Sequence, residues 1–371
     1  MMRPLRWLAC LWLTLTPALT LAQNVKVDVL TDKLDAPWGL AQLPDGEMLL
    51  SERSGALWRL DARGVRLAKI ENVPAAYVES QGGLFDIALH PQFATNATLY
   101  LSFAAGNLGH NTLRVVRAVL RGNRLTDVRT VFDSTPKSTA VHYGGRLGFM
   151  KDGTLLVTIG DGYDERYNAQ RLGALLGKVA RINDDGTAPP DNPFVRREGA
   201  APAVWSYGHR NPQGLAVDPL TGVVYLSEHG PQGGDEINVI EPGVNYGWPV
   251  ATHGIDYTGG RISPFATYEG MREPLVFWDP SIAPAGIAVY RGNEFPEWNG
   301  DLLVAVLKFT QLRRVDLEGG RVVGEHFLLA DRSARFRHVL IAADGAILAL
   351  VESVEGKERS GQLLRLSRAA P

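Results

Sequence analysis

"QGLAVDPLTGVVYLSEHG", residues 213–230, reads as two short β-forming runs joined by a Pro and Gly turn. The first run follows Gln213 and the second ends at Glu228, with no helical periodicity in either. The same phrase recurs five more times. "WGLAQLPDGEMLLSERSGALWRLD" begins at Trp38, "GLFDIALHPQFATNATLYLSFA" at Gly83 and "GRLGFMKDGTLLVTIGDG" at Gly145. "AGIAVYRGNEFPEWNGDLLVAVL" begins at Ala285 and "RHVLIAADGAILALVE" at Arg337. Six copies of one strand, turn and strand phrase, separated by about 45 to about 70 residues, predict an all-β fold of radially repeated sheets. A six-bladed β-propeller of four-stranded antiparallel sheets fits best, and a β-sandwich, which does not repeat a blade phrase, fits less well. The early strand "VKVDVL" from Val25 to Leu30 is expected beside "QLLRLS" of the last blade, closing the ring.

Residues 1–22 read as a secretory signal peptide: Arg3 and Arg6, then an apolar run from Trp7 to Leu15, then a small-residue exit at Ala22. The repeats then make residues 23–371 a single catalytic propeller domain. The chain's single cysteine, Cys10, lies inside the leader, so the exported protein is expected to have no disulfide framework and to depend on a packed core. Nothing else approaches the ~20 apolar residues of a membrane span. A formal charge of -2 with scattered signs argues against a nucleic-acid surface. The expected location is the periplasm.

A propeller gathers its functional side chains at one mouth of the channel, so the polar residues just before each repeat are the ones to inspect. They are Gln81 before the second copy, His142 before the third, Arg210 and Asn211 before the fourth, and Arg335 and Arg337 around the start of the sixth. Lys308 leaves the fifth blade after an apolar run. Taken singly, Gln81 and His142 are ordinary loop residues, and the two arginines an ordinary solvated strand face. Taken together they are several cations, an amide and one base around a cavity, a set suited to a planar polyanion, because guanidinium forks pair bidentately with carboxylates. Arg146 reads as a blade anchor. "SEHGPQGGDEINVIEPGVNYGWP", residues 227–249, is rich in turns that expose carbonyls and carries Asp235 and Glu236, the oxygen chemistry that Ca²⁺ takes. The Asp161-Gly162 and Asp185-Gly186 doublets read as hairpin turns.

The strings "VHYGGRL", "GKVARINDDGTAPPDNPF", "YGHRNPQGLA" and "SEHGPQGGDEINVIEPGVNYGWP" resemble the soluble quinoprotein glucose dehydrogenase family, and within it the aldose sugar dehydrogenase branch. The resemblance runs from Trp38 to the last blade. It implies oxidation of aldose sugars to lactones with pyrroloquinoline quinone (PQQ) as cofactor, His142 being the general base at the anomeric hydroxyl. It further implies that Gln81, Arg210, Asn211, Lys308, Arg335, Arg337 and, more loosely, Tyr257 hold PQQ. The Gly230 and Pro231 carbonyls would bind a Ca²⁺ at the cofactor, and Glu236 with the Tyr246 carbonyl a second, structural Ca²⁺. Partners would be an aldose and an unidentified periplasmic electron acceptor. Val141 stands where the glucose dehydrogenase branch has an acidic residue, and the chain is shorter between the fourth and fifth blades; both departures point to a broad aldose range. A Ca²⁺-dependent propeller lactonase and a non-catalytic propeller that binds a periplasmic partner are the alternatives.

Overall fold

The computed structural model describes residues 25–354 and 360–369, so the leader expected at residues 1–22 lies outside the described residues. Six four-stranded antiparallel sheets form the ring. Their first strands are Pro37–Gln42, Leu84–Leu89, Gly144–Phe149, Pro212–Val217, Pro284–Val289 and Ala334–Ile341. Each packs against the next, and the last returns to the first, so these strands line the channel. All six repeated phrases coincide with blades. The strand Val25–Leu34 pairs antiparallel with Gly361–Arg368, with Val25 opposite Arg368 and Val27 opposite Leu366, which closes the ring as expected. Among the described residues no helix is long and apolar enough to cross a membrane.

The second strands Met48–Glu52, Leu155–Ile159, Val224–Glu228 and Leu302–Val306 are buried at every position, which explains their continuous apolar runs: both faces are covered by neighbouring blades. A hydroxyl on several second strands, including Thr98–Asn107 of the second blade, reaches across to the next blade. Ser51 Oγ donates to the Phe85 carbonyl at 2.5 Å, Ser102 Oγ to Gly145 at 2.5 Å and Ser227 Oγ to Ala285 at 2.6 Å. The glycine inside the repeated phrase exists because of that approach. A Cβ on Gly39 would lie 2.8 Å from the Phe85 carbonyl oxygen, and one on Gly214 would lie 2.2 Å from that of Ala285.

Arg146 plugs the channel and is almost fully buried. Its guanidinium donates to the Gln213 carbonyl at 2.7 Å, the Arg337 carbonyl at 3.0 Å and Asp86 Oδ1 at 3.3 Å, and lies 3.9 Å above the Trp38 ring. Five of the six blades therefore meet on one side chain, the anchoring role its place in the sequence implied.

Candidate functional site

The loop before the third blade's first strand turns sharply at His142, which has a left-handed φ of 52°. For a non-glycine residue that conformation costs about 1–3 kcal/mol and persists only where the surroundings fix it. Two contacts do so. Gln81 Oε1 accepts from the His142 backbone N–H at 2.9 Å, and Gly160 lets the His142 carbonyl pass where a Cβ would be 2.1 Å away. His142 Nδ1 lies 2.8 Å from Asp161 Oδ1. Asp161 also accepts from Trp248 Nε1 at 2.7 Å and from the Tyr163 N–H at 2.8 Å, so its carboxylate is held from three sides. A carboxylate bonded at Nδ1 places the proton there and leaves Nε2 as a free lone pair. Burial pushes the His142 pKa below the ordinary imidazole value; Asp161 opposes that, while Arg210 and Lys137 reinforce it. The result is an oriented imidazole whose burial favours the neutral form.

Asp161 is the chief correction to the sequence reading, which took the Asp161-Gly162 doublet for a hairpin turn. The doublet does turn the chain, but its carboxylate is also the partner of the His142 imidazole. Asp185-Gly186 remains a turn, with Asp185 accepting from the Thr187 N–H at 2.9 Å.

Beside Tyr143 and Gly144 opens a cavity of about 200 Å³ lined by Gln81, Asn211, Arg335 and Arg337, with Arg53, His229 and Glu352. Glu352 was not foreseen. Its carboxylate accepts from Arg337 at 2.9 Å and lies 3.5 Å from Arg335 Nε. Burial would raise its pKa, but Arg337, Arg335 and Arg53 outweigh burial and hold it below the usual carboxylate range. Two polar atoms here are buried without a hydrogen-bond partner: Arg337 Nε, a donor, and His229 Nε2.

Arg210, Tyr257, Gly230, Pro231 and Lys308 line two adjoining cavities, whereas Glu236 and Tyr246 line neither. One, of about 120 Å³, is lined by Asp161, Tyr163, Arg166, Arg210, Asp256 and Tyr257, with an Arg166–Asp256 ion pair at 3.5 Å. The other, of about 450 Å³, includes His229, Gly230, Pro231, Tyr257 and Lys308. Pro231 and Tyr257 belong to both, and His229 joins the larger one to the cationic cavity. Arg210 spans them, donating to the His229 and Gly230 carbonyls at 3.1 and 2.5 Å. The structure thus places the residues expected at the cofactor, with Gly230 and Pro231, around three joined compartments, and His142 beside them through its bond to Asp161.

Asp235, which the sequence placed in the calcium loop, is a brace. Its buried carboxylate accepts from the N–H groups of Gly230, Ile282 and Ala283 at 2.8, 2.7 and 2.7 Å, fixing the turn that presents the Gly230 and Pro231 carbonyls. Glu236 is different. Burial, then the negative charges of Glu228, Glu273 and Asp235, push its pKa up to about 8. The Tyr246 ring stacks 4.8 Å from His209, and its hydroxyl donates to Val239 at 2.6 Å. Ser206, His209 and Glu228 form a relay with 2.9 Å steps that resembles a hydrolase triad, but all three are buried and it serves to hold the Arg210 N–H, which donates to Glu228 at 2.7 Å. Among the described residues no three His, Cys, Asp or Glu side chains group in a way that could hold a metal ion.

The Glucose / Sorbosone dehydrogenase family model matches residues 34–365. Aldose sugar dehydrogenase YliI of Escherichia coli strain K12 is 41% identical over 352 residues, covering 93% of each chain. The crystal structure of the soluble aldose sugar dehydrogenase of Escherichia coli in the apo form superposes with a TM-score of 0.88 at 39% identity, over 93% of this chain and 99% of that one. The PQQ-bound form of aldose sugar dehydrogenase from Streptomyces coelicolor superposes with a TM-score of 0.76 at 31% identity, over 92% of this chain and 98% of that one.

Proposed function

The chain belongs to the glucose/sorbosone dehydrogenase family, and on that premise we propose that it is a periplasmic, PQQ- and Ca²⁺-dependent dehydrogenase that oxidises a broad range of aldoses at C1 to lactones. One observation carries the reading: His142, oriented by Asp161 and kept neutral by burial, adjoins a cavity walled by Arg335 and Arg337 on one side and the Arg210 and Tyr257 compartment on the other.

The residues present fit the cofactor. PQQ is a flat tricarboxylate, and the cationic cavity carries an unpartnered buried guanidinium N–H at Arg337 Nε, the donor a carboxylate would satisfy. Gln81, Asn211, Arg335 and Arg337 would hold it there, with Arg210, Lys308 and Tyr257 at the adjoining face. The Gly230 and Pro231 carbonyls would hold one Ca²⁺, and Glu236 with the Tyr246 carbonyl a second. Bound PQQ would supply the acceptor for the hydride that leaves C1, and Ca²⁺ the Lewis acidity that favours that transfer.

The protein's own residues do the rest. His142 Nε2 takes the proton of the anomeric hydroxyl as the C1 hydride departs, a contribution of about 10²–10⁴-fold for a positioned base. Asp161 steadies the imidazolium that results. Arg166, Asp256 and Tyr257 line the compartment next to the base, where the rest of the sugar would rest. Electrons leave to a periplasmic acceptor.

Purified protein mixed with PQQ and Ca²⁺ is expected to reduce an artificial dye when glucose or another aldose is added. Absence of turnover across a panel of aldoses, with PQQ demonstrably bound, would overturn the reading.

A further inference from the structure

Lys137 is buried and lines none of the three cavities described above. Three elements converge on it. Its ammonium donates to Asn111 Oδ1 at 3.2 Å on the strand His110–Arg121, and to the Thr139 carbonyl in its own loop. The same ammonium lies 3.6 Å above the ring of Tyr143, the residue after His142, whose hydroxyl donates to Asn111 Oδ1 at 2.6 Å. The hydrocarbon stem lies along the Asp161-Gly162 turn: a Cβ on Gly162 would be 2.9 Å from Lys137 Cδ. Thr139 Oγ1 adds a bond to the Gly162 carbonyl at 2.6 Å.

We propose that Lys137 is a positioning residue for the His142–Asp161 pair, clamping the loop that carries the base to the turn that carries its carboxylate partner. The proposal rests on the reading of His142 as the base. A bond of 2.8 Å between groups on two separate loops holds its length only if the loops are fixed to each other, and Lys137 is the side chain that touches both as well as the neighbouring blade's strand. A surface lysine would not serve, because burial is what makes its contacts rigid.

The clamp also carries charge. The groups around it are Asp161 and Glu165 from the turn, Tyr143 and His142 from its own loop, and the neutral Asn111 from the strand. Burial pulls the lysine's pKa down to about 7, although Glu165 and Asp161 oppose the fall. Below that pH the group is an ammonium, so in the range where His142 would take up a proton, a positive neighbour already resists it.

The test compares Lys137→Met and Lys137→Gln with the wild type; the glutamine keeps an amide for Asn111 and Thr139 and so guards against loss of the fold. In both variants the acid limb of kcat/KM for an aldose is expected to move to higher pH by a few tenths of a unit. For Lys137→Met, kcat is also expected to fall about tenfold, with KM within about twofold, since small misplacements of a reacting group are costly. Nitrogen NMR of the cofactor-free protein gives a second readout, with the His142 signals assigned by their loss in His142→Ala. The His142 titration should move upward in both variants. An acid limb and a His142 titration that stay at wild-type values in a folded Lys137→Met protein would overturn the proposal. Failure of the wild type to oxidise any aldose would overturn the assigned function instead, and the NMR titration would still decide the clamp.

Discussion

His142 Nδ1 and Asp161 Oδ1 are 2.8 Å apart although the first residue precedes the third blade and the second leaves that blade's second strand. Gly144 pairs with Ile159 in the same sheet, so the two loops exit side by side and the bond follows from strand register. Asp161→Asn keeps the shape but removes the charge that fixes the tautomer and steadies the imidazolium. It is expected to lower kcat about 10²- to 10⁴-fold while the affinity for PQQ, measured by titration of the visible absorbance, stays within about twofold. A kcat near wild type would show that Asp161 is only a turn residue.

The pH dependence follows from the same pair. Burial lowers the His142 pKa and Asp161 only partly restores it, so the imidazole is neutral and competent at pH values below the ordinary histidine range. The acid limb of kcat/KM is therefore expected below about pH 6.5, the value for an unperturbed imidazole. Activity is present above the limb and lost as pH falls through it. An acid limb above pH 6.5 in the fully loaded enzyme would contradict this sign.

Arg337 tests the cationic cavity. Its Nε has no partner, and its two terminal nitrogens are committed to Gln213 and Glu352. Arg337→Met should weaken PQQ binding by about 10- to 100-fold, the effect of losing one charge-assisted hydrogen bond worth about 1.5–3 kcal/mol. It should also lower Tm, because buried Glu352 loses its closest cation. The double variant with Glu352→Gln should recover the Tm and not the affinity, a separation that calorimetry and PQQ titration read independently.

The fold was legible because six copies of one phrase leave little freedom in how they are arranged, and burial on both faces gives four of the second strands the same apolar run. The site was legible where it precedes a blade, as with His142, Arg210 and Asn211, since equivalent positions around a ring converge. It was missed where it leaves a second strand. Asp161, His229 and Glu352 all lie at or near the ends of those strands, the place from which Lys308 was picked out. Asp161 hid inside an Asp-Gly doublet that signals a turn whatever else it does. Asp235 shows the other side of this: its carboxylate accepts from three backbone N–H groups, a role that depends on the distant Ile282 and Ala283 and so is invisible in the local sequence.

Glu236 gives the metal a test that does not depend on turnover. A cation bound there would stabilise the folded chain by mass action, raising Tm as Ca²⁺ is added to protein stripped with a chelator. Glu236→Gln removes the charge while keeping most of the volume, and should abolish the part of the Ca²⁺ response that arises at this site. Because Glu228, Glu273 and Asp235 crowd the carboxyl, the variant is also expected to be the more stable protein when no metal is added. A wild-type Tm indifferent to Ca²⁺ would remove the second metal site from the account.

Arg146 separates the scaffold from the chemistry. Its guanidinium joins the channel-lining strands of several blades through the Gln213 and Arg337 carbonyls and Asp86. Asp86 is fully desolvated, and that burial raises its pKa against the pull of Arg146. Arg146→Met leaves a buried carboxylate without its cation, so the expected loss is about 3–5 kcal/mol in denaturant unfolding. The same variant should also loosen the cofactor cavity, because Arg337 and Gln213 both line it and both present a carbonyl to Arg146. The two effects are ordered: stability falls first, and PQQ affinity falls only as far as those two residues shift. If affinity collapses while unfolding is unchanged, Arg146 touches the cofactor itself and its reading as an anchor is wrong.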